Sequence, residues 1–499
     1  MKQTDSNTLN KKKMKKISAK YFTVVLLTGF LLTSCDKYLD IEPKQQINAE
    51  TAINNAEDLQ LVLISAYEGI KGTLGTSEGG ELYGGSFNFA SEMIAGTDDV
   101  IWRGTFEEQR EFYAKQITTI NLMVRDTWIR GYEVINIVNI VLSKLDVVED
   151  ADEKAKLEGE AKAIRGMLYF ELARLWGLPY EPGQANTQSC VPLILTPTIT
   201  TSDVTYPERA TVEAVFDQAI ADLSDAENLL EGWGTNDGYI STYAASAMLS
   251  RIYLQQGRYE EAAQEADRVI QSGLYELESV PLAAFNNKSF VSEDVFAIRQ
   301  NETSNYGENN SGLATHYASL AGQGRGDIDI TLHFLDRFDD NDLRGGLMTN
   351  TIPGVTQIDN VTEMYYIGIS DLGSGVIATA KYGDSRRNFP VIRLAEMYLT
   401  RAEGNFEAGT SHGATPLEDI NTIRMRAQAD PLTSVDRDAI RNERYLELCW
   451  EGFRLHDLKR WKENIGEYPY NAGNLILPVP EREIEANEHL VQNPYYTGG

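Results

Sequence analysis

The sequence predicts a mostly α-helical protein, a tetratricopeptide-like helical scaffold with a long loop-rich side. Three observations carry that prediction. Across 160–176, Ala161, Ile164, Leu168, Leu172 and Leu175 step by three or four residues and form one apolar helical stripe. Across 241–273, two helical patterns flank Gln256-Gly257-Arg258-Tyr259. There Leu249, Tyr253, Gly257, Tyr259, Ala262, Ala266 and Val269 hold the spacings at which paired helices of a tetratricopeptide unit interlock. Finally, stretches rich in Gly, Asn, Ser and Thr cover 69–85, 177–207 and 304–326, and another loop-rich region covers 349–387. All are too long to be plain connectors.

In chain order, the first element is not part of the fold. Lys2, Lys11, Lys12, Lys13, Lys15, Lys16 and Lys20 precede an apolar run over 21–32, the basic and hydrophobic regions of an export signal. The run is shorter than the roughly 20 residues that span a bilayer, and it ends in Leu32-Thr33-Ser34-Cys35. That ending resembles the lipobox of bacterial lipoproteins, which implies cleavage before Cys35 and acylation of its thiol and amino group. Met14 offers an alternative start. The expected organisation is a removed signal at 1–34, a tether at 35–45 and a single body through 35–499. No second apolar run of spanning length follows.

The helix over 160–176 stops at Gly177 and Pro179. The 241–273 unit cannot bury its own face, so it needs neighbours. The helical patterns within 128–145, 211–230, 392–404 and 417–427 supply them. With 45 Lys+Arg against 74 Asp+Glu, the net charge is −29, which argues against polyanionic partners such as nucleic acid. Three cysteines make no disulfide framework, and nothing says whether Cys190 and Cys449 meet.

Several motifs invite chemistry. Glu443, Glu447 and Glu451 recur every four residues beside Arg444 and Arg454, on what reads as one helix over 443–461. Acid/base catalysis is one reading. Ion pairing of Glu447 with Arg444 and of Glu451 with Arg454, each three residues apart, is the preferred one. GxSxG occurs at 75–79 and 409–413, but neither copy has the strand–turn–helix setting of a nucleophile elbow. The five histidines lack metal spacing. Asp340-Asn341-Asp342 begins like a calcium loop but puts Arg344 and Thr351 at ligand positions. The glycine-alternating run Gly322-Gln323-Gly324-Arg325-Gly326 lacks the ending of a phosphate cradle. No cofactor and no metal are expected. Trp128, Trp176, Trp450 and Trp461 fall on helices and read as packing residues, whereas Trp102 and Trp233 fall in loops.

Six segments in order resemble one family. They are Cys35-Asp36-Lys37-Tyr38-Leu39-Asp40-Ile41-Glu42-Pro43; Glu160 to Gly166 with Tyr169-Phe170 and Trp176-Gly177; the Gly257 repeat; Phe389-Pro390-Val391-Ile392-Arg393 with Ala402-Glu403; Glu443-Arg444 with Glu447-Leu448, Glu451-Gly452 and Trp461; and Pro478-Val479-Pro480 with Glu483-Ile484 and Asn493-Pro494. Together they are similar to the SusD/RagB lipoproteins. The resemblance implies a mostly α-helical scaffold of about four tetratricopeptide-like helix pairs in a lipid-anchored outer-membrane protein, held on the cell-surface face, that binds glycan or peptide on its loop-rich side. It also implies that the protein caps a SusC-like TonB-dependent transporter barrel as a lid and carries no catalysis.

Sugars stack on flat rings and hydrogen-bond through their hydroxyls, so their sites mix aromatic and polar groups. In this family the early loop often supplies such a ring, which points to Trp102 with Asp98 and Asp99. The 304–326 loop adds Tyr306, His316, Tyr317 and Arg325. A surface glycosidase and a repeat scaffold for envelope assembly are the competing classes.

Overall fold

Helix boundaries follow local side-chain chemistry. The computed structural model describes residues 53–72, 82–234, 238–305, 312–348 and 362–497. Its first helix, α1 (Ala56–Lys71), begins at Asn55, whose side-chain oxygen accepts from Asp58 N (2.9 Å), and ends at Gly72 in the left-handed region. Then follow α2 (Ser86–Ala95), strand β1 (Val100–Trp102), α3 (Glu107–Ala114), α4 (Leu122–Ser143), α5 (Ala151–Trp176) and α6 (Val212–Leu229). Asn121, Asp150 and Thr211 cap α4, α5 and α6, each contributing about 1 kcal/mol.

The 241–273 unit forms as its spacing predicts: α7 (Thr242–Gln255) and α8 (Tyr259–Gln271) meet at Gly257, with φ +70°. The chain continues through β2 (Asp294–Ile298), α9 (Leu313–Tyr317), β3 (Ile328–Ile330), α10 (Leu332–Leu335), β4 (Leu347–Met348), β5 (Tyr365–Ile367), β6 (Ile377–Thr379) and β7 (Phe389–Arg393). It returns to helix with α11 (Leu394–Ala408), α12 (Pro416–Arg426), α13 (Arg437–Leu448), α14 (Arg454–Arg460) and the short α15 (Glu481–Ala486).

Eight helices pack in succession, α1 on α4, α5 on both α4 and α6, α7 on both α6 and α8, and α11 on both α8 and α12. This is the mostly helical, four-pair scaffold the sequence predicts. Its centre is α5, whose apolar stripe is only one of its buried faces, because Glu160, Arg165, Glu171 and Arg174 are buried too. Arg165 shows how such a polar face is covered. It donates to both oxygens of Asp222 (2.8 and 2.7 Å) and to Asn139 Oδ1 (2.8 Å). Helices α5 and α6 approach so closely that a Cβ on Gly166 would lie 2.9 Å from the Ala219 carbonyl oxygen.

Between α8 and α11 the scaffold is interrupted by small sheets. β2 pairs antiparallel with β7, β1 pairs antiparallel with β3, and β5 pairs parallel with β4 and antiparallel with β6.

Two expectations are corrected. The 443–461 stretch is not one helix: α13 ends at Leu448, and Trp450 (φ +66°) and Gly452 (φ +85°) turn the chain into α14. Trp102 is not in a loop but ends β1, held there by pairing with Ile328. The tryptophans assigned to packing are buried, Trp176 completely. Cys190 and Cys449 are both buried free thiols. Residues 1–52, which carry the signal, Cys35 and the tether, lie outside the described residues, as do Tyr306 and the 75–79 motif. Among the described residues no helix is long and apolar enough to cross a membrane.

Candidate functional site

Three loop segments enclose a cleft of about 680 Å³. The first follows α9 and contains the glycine-alternating run. Leu320 and Gln323 exchange backbone hydrogen bonds (2.9 and 3.1 Å), Arg325 N donates to Thr315 O (2.7 Å), and Gly326 N donates to Ala318 O (2.7 Å). Gly324 has φ +71°, and a Cβ there would lie 2.2 Å from Ala318 O. Only glycine fits that position. The second segment, 370–372, is tied to the first by the Ser319 and Ser370 hydroxyls (2.9 Å). The third, 383–386, completes the wall.

The polar groups of the cleft are fixed in place. Arg386 forks onto Asp384, Nε to Oδ1 and Nη2 to Oδ2 (both 2.8 Å), and its Nη1 donates to Glu302 (3.1 Å). The Gln323 amide, in the orientation that satisfies both ends, donates to Gly383 O (3.0 Å) and accepts from Arg386 Nη2 (2.9 Å). Burial opposes ionisation of Asp384, but Arg386 and Arg387 outweigh it and hold that carboxyl below the usual range. Asp371, Thr315 and Arg325 add further donors and acceptors, and Leu372, 66% exposed, stands on the lining. The described lining offers the planar groups of Gln323, Arg325 and Arg386, the carboxylates of Asp371 and Asp384, and the hydroxyls of Thr315, Ser370 and Ser385.

Of the residues singled out from sequence, Arg325 lines this cleft. Its Nε donates to Asp327 Oδ2 (2.9 Å), its Nη2 to Thr105 Oγ1 (3.2 Å), and its guanidinium stacks 4.2 Å from the Phe106 ring centre. It therefore joins the early loop to the 304–326 loop. Behind it, His316 turns Nδ1 to the same Asp327 oxygen (3.2 Å), and its ring lies 5.5 Å from that of Trp102. Trp102 is covered by Phe89, His316 and the backbone at Gly104, where a Cβ would fall 2.2 Å from its ring. Trp102 Nε1 and His316 Nε2 are buried without a hydrogen-bond partner.

Asp99 is buried under Arg337 (3.0 Å) and Tyr445, whose hydroxyl donates to it (2.8 Å). Tyr317 is buried, donating to Asn88 Oδ1 (3.2 Å). Asp98 is exposed and uses its carbonyl to accept from Thr331 (2.7 Å). The structure thus gathers Trp102, His316 and Arg325 at one corner and sets Asp99 and Tyr317 in packed surroundings.

Sequence reasoning missed Gln323, Asp384 and Arg386. The alternating glycines were the available signal for Gln323, since a run that can turn so tightly presents its intervening side chains.

The carboxylates at 443, 447 and 451 are occupied by cations, though not the expected ones. Glu443 meets Arg344 (2.7 Å) and Arg424 (3.0 Å); Glu447 meets Arg344 (3.1 Å), Arg393 (2.6 Å) and Arg426; Glu451 meets Lys381 (2.6 Å) and Arg393 (2.7 Å). Arg444 instead pairs with Asp457 (2.9 Å), and Arg454 stacks on Tyr445 (3.7 Å). The break after Leu448 removes the helical register that Glu451 and Arg454 required, whereas Arg444 and Glu447 share α13 and are each claimed by other partners. Asp342, the last acidic residue of the calcium-like motif, is held by Arg344 (2.7 Å). The described residues contain no metal-ligating cluster.

A family model described as the SusD family matches residues 345–475, and one described as starch-binding, associating with outer membrane, matches 37–254. SusD-like protein P2 of Formosa agariphila is 25% identical, over 95% of this chain and 98% of its own. The chain belongs to the SusD/RagB family. A solved SusD-superfamily protein of Bacteroides thetaiotaomicron superposes with TM-score 0.74 at 26% identity, covering 88% of this chain and all of that one. The starch-binding protein SusD of Bacteroides thetaiotaomicron is 30% identical over 31% of this chain and 29% of its own. In this SusD-family protein the cleft is composite. Its 370–372 and 383–386 walls fall inside a matched stretch, whereas the wall after α9 falls between the two.

Proposed function

We propose that this protein captures a neutral glycan in the cleft and delivers it at the outer membrane to a SusC-like TonB-dependent transporter, closing over the barrel as a lid without a chemical step. The observation that carries the reading is the preordered Arg386–Asp384–Gln323 cluster. Its groups are already oriented, so sugar hydroxyls gain hydrogen bonds at little entropic cost. Relatives described as starch-binding and laminarin-binding support the ligand class. The lid favours closure only to the extent that ligand binds the closed state better. The lipid on Cys35 holds the protein at the membrane.

The test has two arms. Calorimetric titration with starch-type and laminarin-type oligosaccharides gives saturable binding that Arg386→Ala weakens by about tenfold, the loss of one charge-assisted hydrogen bond. Purification of the lipidated protein from native outer membrane in mild detergent brings down a large β-barrel in equal amount. Binding that is indifferent to Arg386, or recovery of envelope-assembly proteins without a barrel, overturns the reading. Release of reducing sugar by the purified protein favours the glycosidase instead.

A further inference from the structure

A second pocket lies on the helical scaffold and shares no residue with the cleft. It measures about 260 Å³ and sits between α1, the start of α5 and the segment leading into α7. Two aromatic residues, Trp233 and Tyr239, form one side. Trp233 is 41% exposed although its backbone is pinned, its N–H donating to Leu230 O (2.8 Å) and its carbonyl accepting from Thr242 N (3.3 Å). Tyr239 packs edge-on against Tyr67 (5.3 Å, 89°). Tyr67 in turn donates to the buried Glu160 (2.6 Å) and accepts from Ile240 N (3.0 Å). The Tyr239 ring is therefore held from behind, and Trp233 presents a large wet surface from a fixed backbone.

The remaining lining selects among ligands. Asp150, Asp152 and Glu153, at the start of α5, place carboxylates around the mouth, which repels acidic sugars. A cationic ligand meets a like charge. The Lys156 ammonium lies 4.7 Å from the Trp233 ring centre and 5.7 Å from that of Tyr239, with Glu160 at 3.9 Å. Flat rings for C–H faces, carboxylates that accept from hydroxyls, and an ammonium that donates to them suit a neutral polyol.

We propose that this pocket is a second glycan subsite, holding one neutral sugar unit against Trp233 and Tyr239. It rests on the glycan-capture reading only for the choice of probe. A long polysaccharide chain reaching both sites is retained by avidity, since the second contact is intramolecular once the first has formed.

The test uses full-length mature protein labelled with 5-fluorotryptophan, with the Trp233 resonance assigned by Trp233→Phe. Maltohexaose, laminarihexaose, cellohexaose and mannohexaose are titrated in turn, each into wild type and into Arg386→Ala, in which the cleft is weakened. The expected result is saturable movement of the Trp233 resonance with at least one of the four, retained in Arg386→Ala and weakened about tenfold by Tyr239→Ala. A thermal melt confirms that Tyr239→Ala is folded, and Trp233→Ala, read by calorimetry in the Arg386→Ala background, serves as the second variant. A Trp233 resonance that all four leave still while the cleft binds overturns this subsite alone. One left still when nothing binds anywhere overturns both proposals. Movement with trilysine and none of the sugars overturns the neutral-glycan assignment.

Discussion

Replacing Arg393 by Met tests whether the buried charge network at the C-terminal end of the scaffold holds the fold together. Arg393 is 2% exposed and reaches Glu293 (2.8 Å), Glu447 (2.6 Å) and Glu451 (2.7 Å). Removing one member of a buried pair costs about 3–5 kcal/mol, because the abandoned charge stays buried. Here each carboxylate keeps another cation: Arg426 for Glu293, Arg344 and Arg426 for Glu447, and Lys381 for Glu451. The low end, about 3 kcal/mol, is therefore expected. With an m-value of about 3 kcal/mol/M, the urea midpoint falls by about 1 M.

The pH dependence has a sign. Burial alone would push Glu447 up, but Arg426, Arg393, Arg344 and Lys381 outweigh it and hold it well below the usual range. In the wild type its contribution is present above the unfolded carboxyl's ordinary value of about 4.3 and fades as pH falls through the folded value. Without Arg393 the folded value rises, so Arg393→Met loses less on acidification, and the gap between the two proteins, constant down to about pH 5, narrows as pH falls below about 4.3. A midpoint shift under about 0.2 M, or a gap as wide at about pH 3 as at about pH 5, refutes the reasoning.

Gly324→Ala places a methyl against Ala318 O and is expected to weaken glycan binding in the cleft at a cost of about 1–3 kcal/mol in local strain; calorimetry showing unchanged affinity contradicts it. Burial pushes Glu92 up to about 7 despite N–H donors from Arg454, Gly452 and Phe453. Its contribution to stability is thus full below about 4.3 and is lost as pH rises through about 7. Glu92→Gln flattens that decline in urea midpoints, and an unchanged slope rules the assignment out. Cys35→Ala moves the protein from the membrane to the soluble fraction and abolishes incorporation of labelled palmitate, whereas a labelled, membrane-bound variant shows that another residue carries the anchor.

The helical scaffold was legible because its signals are local. The stripe over 160–176 and the hairpin around Gly257 are periodicities of a few residues. What escaped depends on distant partners. Within 443–461 only Gly452 hints at the turn, since helical spacing continues through it and no proline interrupts. The turn is imposed from elsewhere: Asn88 Nδ2 (2.6 Å) and the Tyr382 hydroxyl (3.0 Å) both donate to Trp450 O, and Glu92 accepts from Gly452 N (2.8 Å). Trp102 was placed in a loop because β1 is three residues long and its partner β3 lies more than 220 residues on. The cleft was half visible: the glycine run announced a tight loop, but Arg386 acquires its role only from the fold that sets it beside Gln323.

The direct packing of α8 on α11 makes everything from 272 to 393 a detour from the scaffold, and the β2–β7 ladder, pairing Asp294 with Arg393, fastens its two ends together. A detour with a closed neck can lengthen, shorten or change composition while the helices on either side keep their contacts. The fold therefore separates a framework whose helix contacts can stay fixed from a cassette, carrying the cleft, that can change. An exchange between two such proteins would have to carry the strand at 100–102 along with the cassette, because that strand pairs with β3 inside it.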